Sequence, residues 1–460
     1  MDASEKTNRQ LFEDMPVPKA LATMAIPTII SQLITLAYNL ADAFFVGRTG
    51  NPFMIAAVSL IFPVFSITIA LSNLYGIGGG SLIARLLGKG EEENARKISA
   101  FSICASLVTS LLFSLCLYAW RDPVLRLLGT SPDTYAYTEN YLFWVVIVGA
   151  IPAVFSGTLA HLLRSVGFAK KASLGLSLGA ILNILLDPLF MFVLLPPGME
   201  VTGAALATLL SNCISMLYFV EALYRLASKS VLSYNLSQGL PSREDIVSVF
   251  YVGLPSAMSN FLVDAANLSL NHLMAGFGDT QLAALGIVLK AERIPINTGL
   301  GICQGMLPLV AYQYGSQKWA RMHSFIRTAR RVGLLFAICC VILYELAAPF
   351  IIRFFIAARP DDTLAMATLA TGIFFLRFRC LASPFAILNM HITFSLQALG
   401  DGKATFLVAS LRQAIIYIPL MHLLASYFGS QGLIVSQTVA EIITFILAFP
   451  LFRKRLAPLK

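Results

Sequence analysis

The sequence predicts an all-α integral membrane protein, with twelve transmembrane helices arranged as two similar six-helix bundles. Three observations carry this. The 460 residues are 57% hydrophobic and only 12% charged, with mean hydropathy +0.76, whereas a soluble chain carries about 25% charged residues. Apolar runs of membrane-spanning length recur from end to end. They lack period-2 alternation, so they must be helical, because lipid offers no partner to an unpaired backbone group. Finally, the chain repeats itself. Ala25-Ile26-Pro27-Thr28-Ile29-Ile30-Ser31-Gln32, followed by Asn39 and Gly50, returns as Gly253-Leu254-Pro255-Ser256-Ala257-Met258-Ser259-Asn260, followed by Asn267 and Gly278, at a constant offset of 228 residues. Pro132-Asp133 returns as Pro360-Asp361, and Pro152, Gly167, Lys170 and Gly203 have counterparts in Pro384, Gly400, Lys403 and Gly432.

The spans fall near 20–45, 53–80, 98–119, 138–160, 172–194, 203–226, 246–275, 281–311, 328–356, 363–390, 404–427 and 430–452. The polar tail Met1 to Pro18 lacks the basic-then-apolar pattern of a cleaved signal peptide, so the first span is expected to direct insertion. A charged connection follows the second span of each half, at Gly88-Lys89-Gly90-Glu91-Glu92-Glu93 and at Gly315-Ser316-Gln317-Lys318-Trp319. The longest polar interruption, Arg225 to Asp245, separates the repeats. The expected organisation is therefore an N-terminal lobe 1–227, a linker 228–245 and a C-terminal lobe 246–460. Six spans per half give both halves the same orientation, related by an axis along the membrane normal. Gly76/Gly80, Gly175/Gly179 and Gly301/Gly305 have the small-residue spacing that lets helices approach closely.

The net charge of +9 is a topology signal. Of 33 Lys and Arg, 23 fall in the two termini and the loops on their side, 5 in the opposite loops and 5 within spans. The positive-inside rule then puts both termini in the cytoplasm of a multi-pass plasma-membrane protein, and no nucleic-acid partner is implied. Seven cysteines sit in apolar runs without metal-ligand spacing, which argues against a disulfide framework. The run Gly78-Gly79-Gly80 lacks the Gly-Lys-Ser/Thr of a phosphate loop. Five scattered histidines form no zinc-protease motif, and no nucleophile elbow occurs. Neither an enzyme nor a bound cofactor is expected.

Carboxylates inside spans cost about 2.5–3.5 kcal/mol each at a helix centre, so they need a reason. Asp42, Asp187, Asp264, Glu292 and Glu441 are the candidates. At about 1.5 Å per residue, Asp42 and Asp187 both lie in the outer half of the membrane. Asn183 shares a helix face with Asp187, and Thr202 opens the sixth span from outside. These four can meet. Their oxygens suit a hard cation such as Na⁺; alternatively, carboxylates withdrawn from water accept a proton. The plainer alternative has Asp42 capping the end of span 1 and Asp187 a turn before Pro188.

At this point the chain resembles the multidrug and toxic compound extrusion (MATE) family. The resemblance rests on Pro27, Tyr38-Asn39-Leu40-Ala41-Asp42 and Phe45-Val46-Gly47 in span 1, and on Asn183 and Asp187 in span 5. It continues through Val201-Thr202-Gly203-Ala204-Ala205-Leu206-Ala207-Thr208 and the run Gly301 to Gly315. The resemblance implies a V of two six-helix bundles, alternating access, and export of amphipathic, mostly cationic compounds in exchange for H⁺ or Na⁺ by a monomer. It implies a cation site at Asp42, Asn183, Asp187 and Thr202, and a bend of span 1 at Pro27. The family's second acidic position, a Glu eight residues after the span 7 proline, is Val263 here; Asp264 follows it, turned by about 100°. Lys290, Glu292 and Arg293 read either as a neutralised cluster or as a charge relay, with Arg377, Arg379 and Glu441 as further partners. Tyr38, Asn39, Phe155, Met191, Met274 and Gln304 are candidates for the cavity wall. A flippase for lipid-linked precursors, of comparable architecture, is the alternative, and it would need free basic residues in the cleft.

Overall fold

The computed structural model describes residues 10–227, 229–355 and 363–459. Pro360-Asp361, Arg359, Ser228 and the first nine residues lie outside them. Numbered by span, the helices are α1 (Val17–Arg48), α2 (Pro52–Lys89), α3 (Glu92–Ala119), α4 (Pro132–Val148 continued by Ala150–Ser165), α5 (Ala169–Leu194) and α6 (Glu200–Leu226). The second half follows with α7 (Arg243–Ala275), α8 (Asp279–Gly315), α9 (Trp319–Phe355) and α10 (Ala365–Cys380 continued by Ser383–Leu399). The last segment, Gly402–Leu456, has 55 residues, far more than the roughly 20 that cross a bilayer. It breaks at Gly429, whose φ of 62° and ψ of −146° leave helical space. We take 402–428 as α11 and 430–456 as α12, which makes twelve spans.

Local chemistry sets the ends. Asn51 caps α2 by accepting from the Phe53 N–H at 2.9 Å, with Pro52 at the first helical position. Ser131 and Thr134 cap the start of α4 reciprocally, and Ser242 caps α7. The repeat is visible in the irregularities. The fourth span of each half is bent, by 46° in α4 and 42° in α10, with the paired prolines Pro152 and Pro384 just beyond each bend. The paired Gly167 and Gly400 both take positive φ where the next helix begins.

α1–α6, hereafter the N-lobe, meet α7–α12, the C-lobe, along α2 with α7 and α1 with α8. Small residues make this seam. A Cβ on Gly253 would stand 2.0 Å from the Leu74 carbonyl oxygen, and one on Gly305 or Gly301 would stand 2.7 Å from the Cα of Ala25 or Ile29, on either side of Pro27. Among the described residues, the hydrogen bonds joining the lobes run from Gln32–Gln304 at mid-helix to the end that carries the termini. The lobes are thus zipped on the terminal side, and the opposite halves of α1 and α7 continue beyond the zip.

Two connections are anchored to the body. Residues 10–15 lie across the C-lobe: Phe12 stacks on Tyr312 at 4.6 Å, and its carbonyl accepts from Gln313 and Arg321. The linker, expected as a polar tether, docks on α3. Ser233 N–H donates to Ser99 Oγ at 3.1 Å, and Val231 and Leu232 enter the N-lobe core.

Candidate functional site

The site is built from the far halves of α1, α4, α5 and α6. Tyr38 and Asp42 are four residues apart and share a face of α1, as do Asn183 and Asp187 on α5. Two π-helical turns flank it, Leu142–Val148 in α4 and Phe190–Leu194 in α5. Such turns add a residue to the helical register and re-aim side chains, and they recur at functional sites. The second follows Pro188, which has no N–H to give its helix.

Asp187 is fully buried and Asn183 nearly so. Oriented to satisfy both neighbours, the Asn183 amide donates to Asp187 Oδ2 at 2.8 Å and accepts from Thr208 Oγ1 at 3.0 Å. The Thr208 hydroxyl is also within reach of Tyr38. Asp42 and Asp187 lie within electrostatic range of each other and of Tyr38 and Tyr141. Asp42 Oδ1 is shut off from solvent and accepts no hydrogen bond among the described residues. Among the described residues neither carboxylate is ion-paired with a basic side chain. A buried acidic pair without a counter-ion is costly unless a cation joins it. The oxygens present (two carboxylates, an amide, a hydroxyl and two phenols) suit either H⁺ or a hard monovalent ion.

The structure brings together Asp42, Asn183 and Asp187, with Thr208 where Thr202 was expected. The reason is depth. Asn183 is about 16 Å from the end of α5 and Thr208 about 12 Å from the start of α6, whereas Thr202 is about 3 Å from that start. Thr202 is half-buried and makes no hydrogen bond among the described residues. A signal was present in the sequence: Thr208, Ser211 and Ser215 form a polar stripe at helical spacing, all buried. Tyr141 carried no comparable signal, because its position depends on the π turn that follows it.

The acidic residues of the C-lobe are arranged differently. Glu292 is ion-paired with buried Arg379, so it does not form a relay with Lys290 and Arg293, which point outward. Glu441, 1% exposed, pairs with Arg412 at 2.7 Å and accepts from Asn389 at 2.8 Å. Glu345 faces Arg377 at 3.7 Å. Asp264 is half-buried and has no ion pair among the described residues. Of the expected cavity wall, Tyr38 borders the acidic site, Asn39 is exposed, and Gln304 lies in the seam, bonded to Gln32. Phe155, Met191 and Met274 are each 4% exposed or less and pack in a lobe core. Their apolar bulk packs where helix faces meet, which sequence alone does not separate from a cavity face.

Known proteins agree with this architecture. The family model MatE matches twice, over residues 27–189 and 255–423. The multidrug export protein MepA of Staphylococcus saprophyticus is 30% identical over 438 residues, covering 95% of this chain and 94% of that protein. A MATE crystallised in complex with MaL6 superposes with a TM-score of 0.92 at 26% identity, over 99% of both chains. An outward-facing multidrug resistance MATE transporter of the MOP superfamily gives 0.91 at 25% identity, over 100% of this chain and 99% of that one.

Proposed function

The chain belongs to the MATE family, and on that premise we propose that it is a multidrug efflux antiporter, exporting amphipathic organic cations in exchange for H⁺ or Na⁺ bound at Asp42, Asn183, Asp187 and Thr208. The observation that carries this is the asymmetry of the acids within the spans. Glu292, Glu345 and Glu441 each face an arginine, whereas Asp42 and Asp187 lie within electrostatic range of each other and have no ion pair among the described residues. Neutralised acids hold a fold together; acids without a counter-ion can trade one cation for another. Tyr38 and Tyr141 add aromatic faces of the kind that hold organic cations. The seam, closed only on the terminal side, corresponds in this reading to an outward-open state with both termini in the cytoplasm. Pro27 lies between the two glycine contacts of α1 and is where that helix bends when the site loads.

The flippase reading requires free cations for a pyrophosphate. Of the basic residues in α8 and α10, Arg377 and Arg379 are each committed to a carboxylate, which leaves Lys290 and Arg293. Dye efflux from cells expressing Asp42→Asn or Asp187→Asn tests the antiporter. The expected result is loss of efflux at unchanged membrane insertion, with Asp264→Asn milder. Wild-type efflux by well-inserted Asp42→Asn would remove the N-lobe site, and greater damage from Asp264→Asn would move coupling to the C-lobe.

A further inference from the structure

A second charged group is buried without a partner, and it is a cation. Arg164, near the terminal end of α4, is 3% exposed, and its Nε and Nη2 make no hydrogen bond among the described residues. It faces a cavity of about 20 Å³ in the lobe seam, room for one water-sized occupant. The N-lobe contributes Gly76, Gly80, Ser81, His161, Arg164 and Ser165, and the C-lobe closes the far wall with Gln304, Leu307, Pro308 and Phe394.

The chemistry of this wall selects the occupant. No Asp or Glu lines it. The hydroxyls of Ser81 and Ser165 already donate to the Gln397 and Leu162 carbonyls. Gln304 spends its oxygen on the Gln32 amide, which leaves its NH₂ as a donor. His161 stands a turn before Arg164 on the same helix face. The donors left without an acceptor belong to Arg164 and Gln304, around a positive charge that no carboxylate on this wall compensates. A neutral water satisfies hydrogen bonds but leaves the charge buried, which is the expensive condition. A small anion satisfies both.

We propose that Arg164 and the seam cavity bind a small monovalent anion of halide size, held between the two lobes while the terminal side is closed. Because each lobe supplies part of the wall, parting the seam dismantles the site and releases the ion. Anion binding and the closed terminal side are thus thermodynamically linked: the anion stabilises the state that binds it. The site is separate from the acidic one and independent of which cation couples transport.

The test is thermal unfolding of the purified full-length protein, with sodium chloride or bromide replaced stepwise by sodium gluconate at fixed Na⁺, pH and ionic strength. Gluconate is too large for the cavity. The expected result is a saturable rise in Tm with halide. Losing one charge-assisted donor fork should raise the half-saturating concentration about tenfold or more in Arg164→Gln. Asp42→Asn should still show a saturable halide response, which separates this site from the proposed coupling site. If Arg164→Gln does not fold, Arg164→Lys keeps the charge without the planar fork and should show a weakened response. Equal Tm in chloride and gluconate for the wild type, meaning a hydrated arginine only, would overturn the proposal. An unchanged halide midpoint in the Arg164 variants would overturn it as well, because the ion would then bind elsewhere.

Discussion

A carboxylate without a counter-ion and one bonded to an arginine respond differently when their charge is removed. Glu441→Gln would leave Arg412 charged in the C-lobe interior, and breaking such a pair costs about 3–5 kcal/mol. The expected outcome is a clear drop in Tm, largely restored in the double variant Glu441→Met/Arg412→Leu, read by thermal unfolding in detergent. Thr208 and Thr202 give a sharper contrast. Thr208→Ala takes away the hydroxyl that orients Asn183 toward Asp187, so efflux should fall severalfold, while Thr202→Ala should stay near wild type. Equal effects of the two would break the assignment of Thr208. At this scale the sequence was legible where chemistry is rare: two aspartates and an asparagine in apolar helices announce themselves. It was not legible where a choice between neighbours depends on helix depth and rotation, as between Thr202 and Thr208, or on which apolar face packs inward, as for Phe155, Met191 and Met274.

Among elements, the spans could be read from hydropathy and the repeat, whereas Pro152 and Pro384 stood out only as paired prolines and not as bends. The π turns could not be read, because each rests on a shift of backbone hydrogen bonds that leaves no compositional mark. The seam is the element-scale feature with the most direct consequence. Gly253 leaves no room for a side chain against Leu74, so Gly253→Val must hold α7 away from α2. Cysteines placed at Ser81 and Gln397, which touch across the seam, should cross-link readily in an otherwise wild-type protein. They should lose most of that yield in Gly253→Val, and transport should fail with them. Full cross-linking in the variant would show that the lobes close without this contact.

For the molecule as a whole, exchange requires that one ligand weaken the other, and the coupling is reciprocal. On the proposed function, a permanently charged dye binding the N-lobe should compete with the cation at Asp42 and Asp187. The sign follows from charge: protonating the pair removes the negative field that attracts the dye, so its Kd should rise as pH falls, or as Na⁺ is added if Na⁺ is the coupling ion. Dye fluorescence titrations on the purified protein measure this, and Asp42→Asn should flatten the response. A wild-type affinity constant in both pH and Na⁺ would favour the flippase. One potential difference of 100 mV is worth about 2.3 kcal/mol per charge moved, enough to drive tens-fold accumulation when the exchange carries one net charge.

The segment 10–15 gives α1 two owners. Its leading residues are fastened to the C-lobe through Phe12, Glu13 and Met15, yet its other end delivers Asp42 to the N-lobe. From Val17, just after the leader, to Asp42 is 25 residues, about 38 Å along α1. In the proposed exchange the lobes move relative to each other and pull the two anchors in different directions, and the proline inside α1 beyond its first turn is Pro27. Strain applied at the leader is therefore felt at the ion site, and strain applied by the ion is felt at the leader. A tag, a truncation or a bound protein at the N-terminus would then be linked mechanically to the aspartate near the far end of α1.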